Sequence, residues 1–120
     1  MEITRRHEID MGHCLADHDG KCFNPHGHRY VVEATVEGEL VTAGPEKGMV
    51  MDFAKLAEEM DFLLGRWDHR FAIDRHDERI EGVCAAFGTD GLCILDCPPT
   101  AENLARRWGD ELSRYIPGVL

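Results

Sequence analysis

Two stretches of the chain alternate between apolar and polar side chains with a period of two, the signature of a strand with one buried face. In ITRRHEIDMGH the odd positions read Ile3, Arg5, His7, Ile9, Met11 and His13, and the even ones Thr4, Arg6, Glu8 and Asp10. The alternation is imperfect at Arg5. In HGHRYVVEATVEGE, His28, Tyr30, Val32, Ala34 and Val36 share a face, with Arg29, Glu33, Thr35 and Glu37 mostly on the other. This second strand ends near Gly38. A turn-rich link, TAGPEKG, leads to Asp52, whose carboxylate suits the free N–H groups of a helix start. Phe53, Leu56, Ala57, Met60, Leu63, Leu64 and Trp67 then recur at helical spacing. They predict a helix over 53–65 with one buried face, ended by Gly65.

Further on the pattern is broken. DRHDERIE, residues 74–81, is nearly all charged and reads as a solvated loop, with His76 a surface residue. VCAAF and LCILD, joined by GTDG, read as two short strands of a hairpin over 83–96. Pro98-Pro99 interrupts the chain and Thr100 caps a second helix. Its apolar stripe is Ala101, Leu104, Ala105, Trp108, Leu112, Tyr115 and Ile116, and Pro117-Gly118 ends it. The final Gly-Val-Leu reads as the opening of a strand.

A length of 120 residues suits a single domain around one core. The net charge of -10, with no basic run, argues against a nucleic-acid surface. No apolar run reaches membrane-span length, and the charged N-terminus does not resemble a signal peptide. Five cysteines without a CxxC pair read as free thiols in a reducing cytoplasm. Cys84, Cys93 and Cys97 fall on or beside the hairpin and are assigned no role.

The candidate chemistry is concentrated in HCLADHDGKCFNPHGH, residues 13–28, which holds four of the seven histidines and two of the cysteines. His26 and His28, two apart on an extended segment, point the same way. His13 lies on the Ile9 and Met11 side of its strand, so antiparallel pairing would bring it to them. Three imidazoles leave a fourth tetrahedral position open, the layout of a catalytic zinc site. A pair of polar loop histidines around Gly27 is the plainer alternative; His13 and Cys22 close by favour metal. Asp68-His69 follows the first helix directly. A carboxylate beside an imidazole can raise its basicity and set its tautomer, although spacing alone is better explained by an ordinary polar helix exit. Glu102 in the first turn of the second helix is explained by the helix dipole.

Taken together, His13, Lys21-Cys22, Pro25-His26-Gly27-His28, Gly48-Met49-Val50-Met51-Asp52-Phe53, Asp68-His69 and Pro99-Thr100-Ala101-Glu102-Asn103 resemble the 6-pyruvoyltetrahydropterin synthase / 6-carboxytetrahydropterin synthase family. Each motif is short; their order and spacing are specific. Three residues, Phe23-Asn24-Pro25, separate Cys22 from the HGH triplet. This resembles the 6-carboxytetrahydropterin synthases of the queuosine and 7-deazaguanine route, whereas the 6-pyruvoyl enzymes usually carry a longer insert. A third branch has an acid in place of Cys22.

The resemblance implies an α+β T-fold, an antiparallel sheet with two antiparallel helices on one face. It further implies Zn2+ on His13, His26 and His28, Cys22 as proton acceptor, Asp68 and His69 as a proton relay, and Thr100 and Glu102 near the pterin. The implied reaction is a zinc-dependent carbon-carbon lyase step on 7,8-dihydroneopterin triphosphate, giving 6-carboxytetrahydropterin, acetaldehyde and triphosphate. A 6-pyruvoyl product, or zinc and pterin binding without turnover, are the alternatives. Trimers and hexamers with sites between subunits are implied as well. Basic partners for the phosphates are not assigned, with Lys21, Arg29 and Arg70 as candidates. Family members continue into two more strands, the first bearing a pterin-gripping glutamate. The resemblance therefore implies a domain incomplete at its C-terminus.

Overall fold

A computed structural model describes residues 1–120. The two alternating stretches form the long strands β1 (Glu2–His13) and β2 (His26–Glu37). They pair antiparallel along their whole length, from Glu2 opposite Glu37 to His13 opposite His26. This register puts Ile9, Met11, Ala34 and Val36 on one buried face. A one-residue slip would turn that whole set to solvent, so the burial pattern itself holds the register.

Helix α1 (Phe53–Gly65) has the predicted bounds, and the Asp52 carboxylate accepts from the Ala54 N–H at 2.8 Å. Its Leu56, Met60, Leu63 and Leu64 are buried, together with Trp67. Phe53, the first residue of the predicted stripe, is instead exposed. Helix α3 (Ala101–Leu112) is capped by the Thr100 hydroxyl, which accepts from the Asn103 N–H at 3.2 Å. Leu104, Trp108 and Leu112 complete the core with Ile116. Tyr115, expected in this stripe, is exposed, because the helix ends at Leu112 and the chain turns there. Each fully buried leucine of this layer contributes roughly 1.5–3 kcal/mol of transfer free energy. The core therefore fixes the sheet face from which the histidines project.

The predicted hairpin over 83–96 is not formed. Strand β3 (Phe71–Asp74) is followed by helix α2 (Ile80–Phe87) and strand β4 (Leu92–Leu95). β3 pairs parallel with β4, Phe71 opposite Leu92 through Asp74 opposite Leu95, and also joins β1 in parallel. The sheet order is β2-β1-β3-β4. It is thus mixed rather than wholly antiparallel, while the α+β T-fold class stands. The physical reason is connectivity: a helical crossover returns the chain in parallel, whereas a hairpin needs a tight turn. Valine and phenylalanine made VCAAF look extended, but Ala85 and Ala86 favour helix. Gly88, at φ +72°, stops it.

The charged stretch 74–81 also differs from expectation. His76 is a surface residue, but Asp74 and Asp77 are buried. At the far end, the closing Gly-Val-Leu makes a single antiparallel bridge rather than a strand. Val119 bridges Val36 on the outer edge of β2, with Glu37 N–H donating to Gly118 O at 2.8 Å. Only glycine fits there: φ is +83°, and a Cβ would lie 2.1 Å from the Glu37 carbonyl oxygen.

Candidate active site

His13 ends β1 and His26 opens β2, and the register sets them face to face, with His28 opposite Met11. The three imidazoles stand with ring centroids 4.5, 4.7 and 5.1 Å apart. One ligating nitrogen from each lies within 4.8 Å of the others. Backbone carbonyls fix two of the tautomers. His13 Nδ1 is 2.7 Å from the Pro99 carbonyl oxygen, and His26 Nδ1 is 2.7 Å from that of Asn24. A carbonyl can only accept, so both Nδ1 atoms carry the hydrogen and both Nε2 lone pairs turn inward. Those two Nε2 atoms are 3.0 Å apart.

Facing lone pairs at this distance repel unless a cation lies between them. A tetrahedral zinc with bonds of about 2.0–2.1 Å would hold its nitrogens about 3.3 Å apart, close to what is found. The donor set therefore fits zinc, and Pro99 and Asn24 supply the outer hydrogen bonds typical of ligating histidines. Burial, only partly offset by the Pro99 carbonyl, holds His13 below the ordinary histidine value, so it is neutral and able to ligate near pH 7.

Cys22 lies in a single 3-10 turn, Lys21–Phe23, between β1 and β2. It is half-buried, is not disulfide-bonded, and is not among the grouped ligand atoms. All four other cysteines are free thiols too.

Asp68 and His69 do bond to each other, Oδ1 to Nδ1 at 3.0 Å. The tight turn after α1 sets this up: the Asp10 N–H donates to Asp68 Oδ1 at 2.9 Å, and the His69 N–H donates to Asp10 O at 2.7 Å. The Asp10 N–H, followed by the His69 ring, holds the Asp68 carboxyl below the usual carboxylate range. His69 itself has φ +61°, a conformation uncommon outside glycine and more often seen at functional sites. The pair groups with the Asp10 carboxylate, which alternates to the sheet face opposite Met11 and His13. Around it His69, Arg70, Arg29, Gly12 and Phe71 line an open depression of about 680 Å³, which His28 also borders. His13 and His26 thus meet on the helix-covered face, the Asp68–His69 pair stands with Asp10 on the other, and exposed His28 borders the depression that His69 lines.

Of the remaining candidates, the Thr100 hydroxyl is engaged as a helix cap, and Glu102 is exposed in the first turn of α3. Arg29 is taken up by Asp10 and Glu8, at 3.0 and 3.4 Å. Lys21 is exposed. A second cleft, about 370 Å³, runs between β2 and α3 and is almost wholly apolar. Burial pushes the Tyr30 hydroxyl there up to about 12, which keeps it protonated.

Residues 2–119 match the model of the family described as 6-pyruvoyl tetrahydropterin synthase. The chain belongs to that family. It is 39% identical over 108 residues to a 6-carboxy-5,6,7,8-tetrahydropterin synthase of Haemophilus influenzae, covering 88% of this chain and 77% of the relative. A probable 6-carboxy-5,6,7,8-tetrahydropterin synthase of Halobacterium salinarum is 35% identical over 115 residues, 92% of this chain and 71% of the relative. Among solved structures, the Caenorhabditis elegans 6-pyruvoyl tetrahydropterin synthase superposes with a TM-score of 0.67 at 28% identity, covering 98% of this chain and 79% of that one. An uncharacterized protein from Wolinella succinogenes shares the fold at a TM-score of 0.82, over 99% and 87% of the two chains, with 22% identity.

Within this 6-pyruvoyl tetrahydropterin synthase fold, several participants were not picked out from the sequence. Pro99 matters through its carbonyl, Asn24 likewise, and Asp10 through its backbone as well as its carboxylate. The Pro-Pro break and Asp10 opposite Arg29 were available signals. Neither says which partner the fold will bring.

Proposed function

We propose that the protein is a zinc-dependent lyase that converts 7,8-dihydroneopterin triphosphate to 6-carboxytetrahydropterin, acetaldehyde and triphosphate, on the route to queuosine and 7-deazaguanines. The observation that carries this reading is the His13–His26–His28 group with its inward-turned nitrogens. The names of the Haemophilus and Halobacterium relatives support the 6-carboxy product. The short spacing between Cys22 and His26 agrees with them.

Zinc held by these three histidines would polarise the side-chain oxygens of the substrate and stabilise the negative charge that develops on them. Cys22 removes a carbon-bound proton from the same side chain. The ionised Asp68 carboxylate holds the His69 Nδ1–H, which leaves Nε2 free to exchange protons with the side-chain hydroxyls. Because Asp68–His69 lies on the opposite sheet face from His13 and His26, the relay is supplied by a second copy in a homo-oligomer, a trimer or hexamer. The domain is one 6-pyruvoyl tetrahydropterin synthase-like unit over 1–120, working in the cytoplasm. Thr100 and Glu102 flank the pterin at the entrance of α3.

The test is turnover of the zinc-loaded chain with 7,8-dihydroneopterin triphosphate, products identified by mass. Acetaldehyde with 6-carboxytetrahydropterin is expected. A pyruvoyl product would move the protein to the sister activity, and zinc binding without any product would refute the enzyme reading.

The shared site has its own test. His13→Ala and His69→Ala chains, each inactive alone, are dissociated, mixed and reassembled. If histidine group and relay come from different copies, about one quarter of the sites carry both intact and activity returns to that level. Mixtures that stay inactive would place both elements in one chain.

A further inference from the structure

The geometry points to Arg79 as a positioning residue that sets Cys22 against the histidine group, through an ion pair with Asp77. This rests on the reading of Cys22 as the proton-abstracting base.

The Cys22 turn has little to hold it. None of Lys21, Cys22 and Phe23 is buried, and no side chain caps the turn. Its own backbone bonds are Phe23 N–H to Gly20 O at 3.2 Å and Asn24 N–H to Lys21 O at 3.0 Å, with Leu15 N–H donating to Cys22 O at 2.9 Å. Left to these, a short exposed turn would open readily.

Arg79, at the entrance of α2, adds two contacts from 56 positions away. Its Nη1–H donates to the Phe23 carbonyl oxygen, and its guanidinium lies over the Phe23 ring, 4.0 Å from the centroid. The other edge of the guanidinium is held by Asp77, Nε–H to Oδ1 at 2.9 Å and Nη2–H to Oδ2 at 2.8 Å. That fork is directional, and lysine cannot reproduce it.

Asp77 completes the link. It is 3% exposed, far more buried than the charged sequence around it suggested. Besides Arg79 it receives the Arg79 backbone N–H at 2.9 Å and the Cys14 thiol at 3.5 Å. Cys14 directly follows His13, and Phe23 directly follows Cys22. One ion pair therefore grips the residue after a candidate metal ligand with one end and the residue after the candidate base with the other. It adds a second tie to the one that the Leu15–Cys22 backbone bond makes between the turn and the end of β1. Neither Asp77 nor Arg79 belongs to the histidine group or to the Asp68–His69 pair.

The test compares zinc-loaded wild type with Arg79→Lys, which keeps the charge but not the fork. Displacing a reacting group by an ångström can cost two orders of magnitude, so kcat is expected to fall about 10- to 100-fold. KM and zinc stoichiometry should stay at wild-type values, a split that a general loss of structure would not produce. In parallel, iodoacetamide alkylation of Cys22, followed by peptide mass, should be at least about threefold faster as the turn loosens, with Cys84 unaffected. Wild-type kcat together with wild-type Cys22 alkylation would overturn the proposal, as would a rise in KM at unchanged kcat. If Arg79→Lys does not fold, Phe23→Leu decides, with a kcat loss of about 3- to 10-fold expected and wild-type kcat overturning it. If the chain shows no turnover at all, the alkylation rates decide. Cys22→Ala separates the two readings: if it stays active, the base assignment falls; if it is inactive while Arg79→Lys keeps wild-type kcat, only the clamp falls.

Discussion

Replacing His13 by alanine is expected to weaken zinc binding more than about 100-fold, since loss of an outer hydrogen-bond partner alone typically costs 10- to 100-fold. His13 is the most buried of the three histidines, and it is the one tied to α3 through Pro99. Its removal leaves His26 and exposed His28, two ligands on one strand edge, which do not make a zinc site. Competition with a chromophoric chelator measures the affinity. Thermal unfolding gives an independent reading, because a ligand at 100 times its Kd stabilises the native state by about 2.7 kcal/mol. The wild-type midpoint should therefore rise with zinc and that of His13→Ala should not. A variant that keeps wild-type affinity would remove His13 from the ligand set.

Cys22→Ala should separate metal binding from catalysis. Cys22 is outside the grouped ligand atoms, so zinc stoichiometry should remain that of the wild type. General-base steps contribute about 10²- to 10⁴-fold, and kcat should fall by that amount with KM little changed. Equal zinc content with an inactive protein is the expected pair of results. Loss of zinc along with activity would instead make Cys22 a ligand, and full activity would make it a bystander.

How much of this was legible in the sequence depended on the range of the interactions. The register of β1 against β2 is written in local alternation, because a slip of one residue would expose Ile9, Met11, Ala34 and Val36. Once that register is given, His13 must meet His26, so the candidate metal centre was legible too. The α1 and α3 starts were equally local, each decided by one capping side chain within three residues. The stretch 74–95 misled for the opposite reason. Its charged and its β-favouring residues predicted a loop and a hairpin, but the parallel seat of β4 beside β3 selected a helical crossover.

The sequence by itself determined the two long strands, the two capped helices and the identity of the histidine group, since period and capping act between near neighbours. Only the tertiary structure decided which carbonyls set the histidine tautomers, why Asp77 can be buried, and on which face Asp68–His69 stands. Pro99 lies 86 positions from His13, Asp77 lies 63 from Cys14, and Asp68 lies 58 from Asp10. Hydrogen bonds and ion pairs form wherever packing brings donor and acceptor within about 3 Å, and no local pattern in a chain encodes that meeting.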